Sequence, residues 1–226
     1  MKISPETLTL LENFVAINTG IVIKKTPDEQ SYTTIKTINR EAMIYAEVQI
    51  PEVFTNNVCL YDLKQLISTI KALPETDIEL HDDYMVLKKD SKKVKIIYSD
   101  AEHIIYPKKG CPKFEKLLTF NLSSTDLKDI NYFANTLNLP NLRLYSEDGI
   151  LHLQALQKEH GLRSSNQYDI ILGPTDKENV DVYFKCEYIN KLILSDYIVS
   201  LTEHGIEFKN AVNENNFYFI GMDLID

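Results

Sequence analysis

The feature that most constrains the fold of this 226-residue chain is an amphipathic helix pattern that recurs between β-rich segments. Residues 61–73 show the pattern most clearly. Lys64, Ser68 and Lys71 lie on one helical face, and the apolar residues lie on another: Leu63, Leu66, Ile67, Ile70 and Leu73. Similar patterns occupy 4–18, 124–138 and 186–195. Because each helix must bury its apolar face against a sheet, the chain is predicted to be α+β.

The order of the predicted elements repeats. Helix, strands, helix and strands occur twice, with a spacing of about 115–125 residues. Between the two copies lies 107–116, PKKGCPKFEK, whose prolines, glycine and lysines are typical of a linker. The pattern predicts domains at 1–107 and 117–226, each with two helices packed on antiparallel β-sheet, joined by a linker at 108–116. An ordinary surface loop at 108–116 is the alternative interpretation.

Composition argues against several classes of function. Only 7 glycines occur, and none forms a phosphate-binding or dinucleotide motif. The 3 cysteines are far apart and the 5 histidines lack metal-ligand spacing, so no disulfide, metal or cofactor is expected. No nucleophile motif occurs either, which predicts a protein that is not an enzyme. The absence of a signal segment or a long apolar run favours the cytoplasm.

Charge is distributed unevenly along the predicted helices. The net charge of −9 confines any contact with nucleic acid to one face of the protein. Most helical acids lie in first turns, where the helix dipole favours them: Glu6, Asp62, Asp126 and Glu187. Lysines and asparagines predominate beyond the first turns, and they suit sequence-independent contacts with phosphate. For any single helix, a solvated outer face is the alternative interpretation.

Three stretches of sequence resemble a known family. They are MKIS…LLENFVAINTGIVIK at the start of the chain, YDLKQLISTIKAL at 61–73, and DAEHIIYP at 100–107. Together they make the chain similar to the sliding clamps of T-even-like tailed phages, which are processivity factors of DNA polymerase. The resemblance covers essentially the full length.

The resemblance implies two clamp-type domains per subunit and a homotrimer that closes a ring of six domains. Helices would line the hole, and double-stranded DNA would pass through it without sequence recognition. The implied partners are an ATP-driven clamp loader, the replicative DNA polymerase and, in some phages, a sigma-like factor and a co-activator of late transcription. These partners would attach through short hydrophobic C-terminal peptides. The implied location is the cytoplasm of the infected host cell.

The resemblance also implies roles for particular residues. The residues expected to face DNA are Lys2, Asn13, Lys64, Ser68, Lys71, Lys128, Asn131, Asn135 and Lys191. Subunits would pair through strand edges at 102–106 and 167–172, with contacts from Ile104, Ile105, Tyr106, Tyr168, Ile170 and Leu172. A pocket for partner peptides is expected at Ile105, Tyr106, Pro107, Leu224 and Ile225. One departure from the family is Glu12, where a lysine is usual on the DNA-facing helix.

Two other functions remain open on the sequence. One is a monomeric, β-rich protein-interaction module with no role on DNA. The other is an enzyme of a type without a recognisable motif. The mass of the protein in solution separates a ring from the first alternative.

Overall fold

The computed structural model describes residues 1–159 and 162–222, and it divides the chain into two compact units, Met1–Gly110 and Cys111–Asp226. The division falls inside the predicted linker at 108–116. Leu224 and Ile225, two residues of the predicted peptide pocket, lie outside the described residues.

The first unit contains two helices and seven strands. The elements are α1 (Pro5–Ile17), β1 (Ile21–Ile23), β2 (Thr33–Ile38), β3 (Ile44–Ile50), β4 (Val58–Leu60), α2 (Leu63–Ala72), β5 (Asp77–Leu80), β6 (Tyr84–Lys89) and β7 (Lys92–Ile97). All pairings within this unit are antiparallel: β1 with β4, β2 with β3, and a meander of β5, β6 and β7.

The second unit repeats this plan. Its elements are β8 (Lys116–Leu122), α3 (Ser124–Thr136), β9 (Asn141–Glu147), β10 (Ile150–Glu159), β11 (Leu162–Pro174), β12 (Asp181–Lys185), α4 (Cys186–Ile189), β13 (Tyr197–Thr202), β14 (Gly205–Asn210) and β15 (Phe217–Gly221). One antiparallel sheet has the order β11-β10-β9-β12, and another antiparallel set has the order β15-β14-β13-β8.

Side-chain caps fix where the three longer helices begin. The hydroxyl of Ser4 accepts a hydrogen bond from the backbone N–H of Thr7 at 3.2 Å, and Ser123 caps α3 in the same way at 3.0 Å. Asp62 accepts from the N–H of Lys64 at 3.0 Å and begins α2. These caps satisfy backbone N–H groups that the first helical turn leaves unpaired. Serine and aspartate are residue types that favour such positions.

The predicted helix at 186–195 is much shorter than expected, since α4 ends at Ile189. Beyond it, the backbone N–H groups of Lys191 and Leu192 bond to the carbonyls of Tyr188 and Ile189, three residues back, at 3.1 and 3.0 Å. Bonds of this spacing form tight turns rather than an α-helix. The apolar period that suggested a long helix arises because Tyr188, Ile189 and Leu192 are all buried.

Each unit buries one face of its helices. In α2 the buried residues are four of the five predicted from the spacing, namely Leu63, Leu66, Ile67 and Ile70, whereas Leu73 lies at the C-cap and is half-buried. Helix α1 packs beside α2 and against β2 and β3, with Leu11 and Phe14 at 1% and 0% exposure. Helix α3 packs on β10 and β11 through Leu127, Ile130 and Ala134. The opposite faces of these helices therefore remain available for contact.

The predicted strand at 103–106 is wrong. A single 3₁₀ turn occupies Ala101–His103, because Asp100 accepts a hydrogen bond from the N–H of Glu102 at 2.9 Å and turns the backbone. Ile104 then lies in the core at 6% exposure. A Cβ at Gly20 would lie 3.0 Å from the Cγ2 atom of Ile104, so the packing there favours glycine.

A buried carboxylate ties α1 to the loop that follows β3. Glu52, 8% exposed, accepts hydrogen bonds from the backbone N–H of Ser4 at 2.6 Å and the hydroxyl of Thr7 at 2.7 Å. We expect Glu52→Ala to lower the free energy of unfolding by about 1–3 kcal/mol, because both buried donors lose their acceptor. Urea denaturation measures the change. The control is Glu6→Ala, an exposed acid in the same helical turn, and an equal loss in both variants would contradict the expectation.

Candidate functional site

The helices of the first unit place the expected DNA-facing residues on accessible surface. Lys2, Lys64 and Ser68 are exposed, and Asn13 is half-buried. Lys2 and Lys71 line the same groove, of about 970 Å³, between the start of α1 and the end of α2. The structure thus brings together two cations that lie far apart in the sequence.

Lys71 is not a free cation, since its ammonium lies 2.8 Å from a carboxylate oxygen of Glu12. The side chains are 57% and 41% exposed, so the pair adds at most about 1 kcal/mol to stability. It nevertheless offsets the positive charge of Lys71 on this face. Lys2 and Lys64 have no carboxylate partner among the described residues, so they supply most of the positive potential there.

The helical surface of the second unit is polar but carries little charge. Lys128 and Asn135 are exposed, and Asn131 is half-buried. The amides of Asn135 and Asn190 exchange hydrogen bonds of 3.3 and 3.4 Å, which join α3 to α4. Lys191 is half-buried, with its ammonium 5.6 Å from the centre of the Tyr188 ring. Contacts from this surface would be mainly amide contacts.

The acids near the start of α3 are used inside the unit. Asp126 accepts a hydrogen bond from the hydroxyl of Ser123 at 2.6 Å. Asp196 accepts the backbone N–H of Ser124 at 2.6 Å, and hydrogen bonds from Ser124 lower the pKa of that carboxyl. Both carboxylates therefore complement the helix start, as the sequence position of Asp126 suggested; the part played by Asp196 arises from the fold.

Open strand edges occur in both units, and β7 and β11 are two of them. In the first unit, Met1 and Ile78 exchange backbone hydrogen bonds of 2.7 and 2.8 Å, which cover the edge of β5. The other edge of that meander, β7, is left unpaired within the unit. In the second unit, β11 is the outer strand beside β10. Open edges of this kind can pair with another chain.

The interface residues predicted on β11 face inward rather than outward. Tyr168 stacks on Phe133 of α3 with ring centres 4.3 Å apart, and burial, helped by Asp129 and Asp126, raises its pKa. Ile170 and Leu172 alternate with it and are half-buried on the same side. Their contribution to a subunit contact would thus come from the backbone of β11.

Two exposed isoleucines at the open edges were missed by the sequence analysis. Ile97, at the end of β7, is 71% exposed, and Ile171 on β11 is 67% exposed. The sequence contains a sign of these residues, because an isoleucine at a strand position that alternation assigns to the solvent side is unusual for a surface that stays exposed. With Ile104 buried, the edge of the first unit belongs to β7 and not to 102–106.

A polar cluster holds β11 to its neighbours. The carboxylate of Asp169 accepts from Tyr145 at 2.8 Å and Gln154 at 3.1 Å, and it lies 2.9 Å from Nδ1 of His152. Burial and the bond to Asp169 raise the pKa of Tyr145 to about 12. The open strand is therefore cross-linked to β9 and β10 and presents a fixed edge.

The described part of the predicted peptide pocket lies at the end of the first unit. The amide of Asn18 donates to the carbonyl of Ile105 at 2.6 Å, which leaves the Ile105 side chain 48% exposed. Tyr106 and Pro107 line a cavity of about 110 Å³. Apolar and polar surface thus meet beside the linker.

The described residues offer few groups for metal binding or covalent chemistry. Residues 1–159 and 162–222 contain no cluster of three histidine, cysteine, aspartate or glutamate side chains suited to a metal ion. Burial raises the pKa of Cys186 to about 12, so its thiol stays protonated near neutral pH. No helix in these ranges is long and apolar enough to span a membrane.

Comparison with known proteins gives relatives of one kind. The chain is 25% identical over 211 residues to the sliding clamp of Vibrio phage KVP40, covering 91% of this chain and 92% of that protein. It is 24% identical over 183 residues to the sliding clamp of Enterobacteria phage T4, covering 79% and 77%. No protein-family model matches the chain.

Solved structures agree with these relatives. A. fulgidus PCNA, bound by the C-terminal region of FEN-1, superposes with a TM-score of 0.72 at 13% identity, covering 100% of this chain and 98% of that one. The Helicobacter pylori beta clamp, bound to a DNA ligase peptide, gives 0.67 at 12% identity, covering 100% and 66%. The expected resemblance and the expected clamp fold are therefore confirmed.

Proposed function

We propose that this relative of the T4-like sliding clamps is itself a sliding clamp. It forms a ring around double-stranded DNA and tethers the replicative DNA polymerase, acting as a scaffold rather than an enzyme. The observation that carries the proposal is the clamp fold over the whole chain, joined to similarity in sequence with phage clamps. The site of action is the cytoplasm of the infected host cell.

Ring closure uses the open strands β7 and β11 of neighbouring copies, and we assign three copies to the ring. The two strands differ in charge. Strand β7 carries Lys92, Lys93 and Lys95, whereas β11 carries one base, Arg163, and one acid, Asp169. Repulsion between the lysines disfavours pairing of β7 with a second β7, so β7 with β11 is the favoured pair.

DNA contact in this ring is weak and independent of sequence. Lys64 and Lys128 on the helices and Lys2 just before α1 are exposed lysines that lack a carboxylate partner among the described residues, and exposed amides such as Asn135 add neutral hydrogen-bonding groups. With a net charge of −9 per copy, strong adhesion to phosphate is not expected. Enclosure of the duplex replaces adhesion and permits sliding.

Partners dock beside the linker. A. fulgidus PCNA carries the C-terminal region of FEN-1, and the Helicobacter pylori beta clamp carries a DNA ligase peptide. We infer that this chain likewise takes a partner peptide at Ile105, Tyr106 and Pro107. The polymerase, an ATP-driven clamp loader, and a late-transcription sigma-like factor with its co-activator are the partners proposed.

The decisive test uses mass and DNA topology together. Sedimentation should give a trimer of the 26.1 kDa chain at micromolar concentration. Clamps loaded on a nicked circle should remain bound, and linearising the circle should release them within the time needed to slide off an end. A monomer in solution, or equal retention on both forms of DNA, would support the interaction module instead.

Removing the Glu12 carboxylate should strengthen DNA contact. In Glu12→Gln the Lys71 ammonium loses its internal partner and becomes available to phosphate, so retention at low salt should rise about two- to threefold. The half-life on circular DNA measures it. The control is Glu6→Gln, which removes an exposed acid elsewhere on α1. Equal gains in both variants would show a general charge effect and not release of Lys71.

A further inference from the structure

A cluster of lysines beside the linker stands apart from the helical surfaces. The cavity of about 110 Å³ that Tyr106 and Pro107 line is also lined by Lys24, Lys36, Lys108 and Lys109. These four lysines form what we call the lysine pocket. Lys36 comes from β2, and its ammonium lies 3.5 Å from the position a Cβ would take on Gly110, so sheet and linker approach closely there.

The lysine pocket keeps an excess of positive charge. Lys36 pairs with Glu47 at 3.2 Å, and Glu47 also accepts a hydrogen bond from the Tyr45 hydroxyl. Lys24, Lys108 and Lys109 are exposed and have no carboxylate partner in the described ranges. Like charges gathered this closely are unfavourable unless an anion joins them. In a chain of net charge −9, such a cluster points to an acidic ligand.

The location of the pocket decides between a peptide and DNA. Buried Thr33, Ile35 and Thr37 alternate along β2 with half-buried Thr34 and Lys36. Because α1 packs against β2, Lys36 lies on the face turned away from that helix. The helices are the surface proposed to face DNA, so the lysine pocket lies on the opposite side of the sheet.

We propose that the lysine pocket binds an acidic peptide segment of a partner protein, whose carboxylates lie among the lysines while an apolar side chain of the peptide covers exposed Ile105. The proposal rests on the peptide docking assigned above and adds the charge of the peptide. The small cavity suits individual carboxylates, and the 48% exposed Ile105 next to it supplies the apolar contact.

The test compares two fluorescent peptides on the full chain. One has glutamates flanking a pair of leucines, and the other has glutamines in place of every glutamate. Anisotropy at low salt should show binding of the glutamate peptide and at least about fivefold weaker binding of its twin, with the difference lost at high salt. Equal affinities would overturn the proposal.

Charge reversal in the chain provides the second arm. Lys108→Glu with Lys109→Glu should weaken the glutamate peptide at least about fivefold. Lys113→Glu, at an exposed lysine just beyond the pocket, should change its affinity less than about twofold. Equal effects from both variants, or loss of affinity for a labelled DNA duplex in place of the peptide, would overturn the proposal.

The two proposals fail separately. The reversed variant should remain a trimer and should stay on circular DNA like the parent protein. If the protein is a trimer and stays on circular DNA, but the lysine substitutions do not change its affinity for the peptide, only the lysine pocket proposal is wrong. If the parent protein is monomeric yet the lysine substitutions weaken peptide binding, the ring proposal is wrong and the lysine pocket proposal is supported.

Discussion

Reversing the three exposed, unpaired lysines on or beside the helices, Lys2→Glu with Lys64→Glu and Lys128→Glu, should shorten retention on circular DNA at least about tenfold while the ring stays closed. All three side chains are exposed, and none has a carboxylate partner among the described residues. Their replacement turns attraction to phosphate into repulsion on the surface proposed to enclose the duplex. Processive synthesis with the polymerase should fall in parallel.

The matched control reverses equally exposed lysines elsewhere, namely Lys25, Lys113 and Lys177. Net charge changes by the same amount, so an effect of general repulsion appears in both proteins. We expect the control to keep at least about half of the parent's retention, because its lysines lie away from the helices. Equal losses would show that the helical surface has no special role.

Ile171→Lys should break the ring into monomers. Ile171 is 67% exposed in the isolated chain, and pairing of β11 with a neighbouring β7 would bury it. An ammonium placed in such an interface beside the lysines of β7 is both desolvated and repelled, so the association constant should fall at least about a hundredfold. Sedimentation over a range of concentrations measures the change.

Val212→Lys is the control for this prediction. Val212 is 93% exposed in the loop between β14 and β15, outside both β7 and β11. The control should remain trimeric, and urea denaturation of both variants should lie within about 0.5 kcal/mol of the parent, as for other surface substitutions. A trimer that persists in Ile171→Lys would remove β11 from the interface.

The sequence was sufficient for elements that local chemistry determines. Ser4, Asp62 and Ser123 are residues that prefer helix starts, and each caps a helix. The predicted turn at Asp148 and Gly149 has positive φ values of 51° and 75°, which aspartate and glycine tolerate. The spacing of apolar residues at 186–195 wrongly predicted a long helix, because the buried residues beyond Ile189 lie in tight turns.

Features that depend on distant parts of the chain were not predictable. The pairing of Glu12 with Lys71 needs α1 and α2 side by side, which no local pattern encodes. The partial cover of the β5 edge by Met1 is a contact between residues 77 positions apart. Both cases turn on a single tertiary contact. The strand assigned to 103–106 failed for a local reason instead, because the side chain of Asp100 redirected the backbone.

The strand edges proposed to close the ring have a consequence for orientation. In the proposed ring each copy contributes two unlike edges, β7 and β11, so the contact between copies would be heterologous and would repeat around the ring in one sense. Every subunit of that ring would have the same orientation along the ring axis, and its two sides would be different surfaces. A clamp with two distinguishable sides can be threaded in either of two orientations. Loading it in one of them would give every bound partner a defined heading along the DNA.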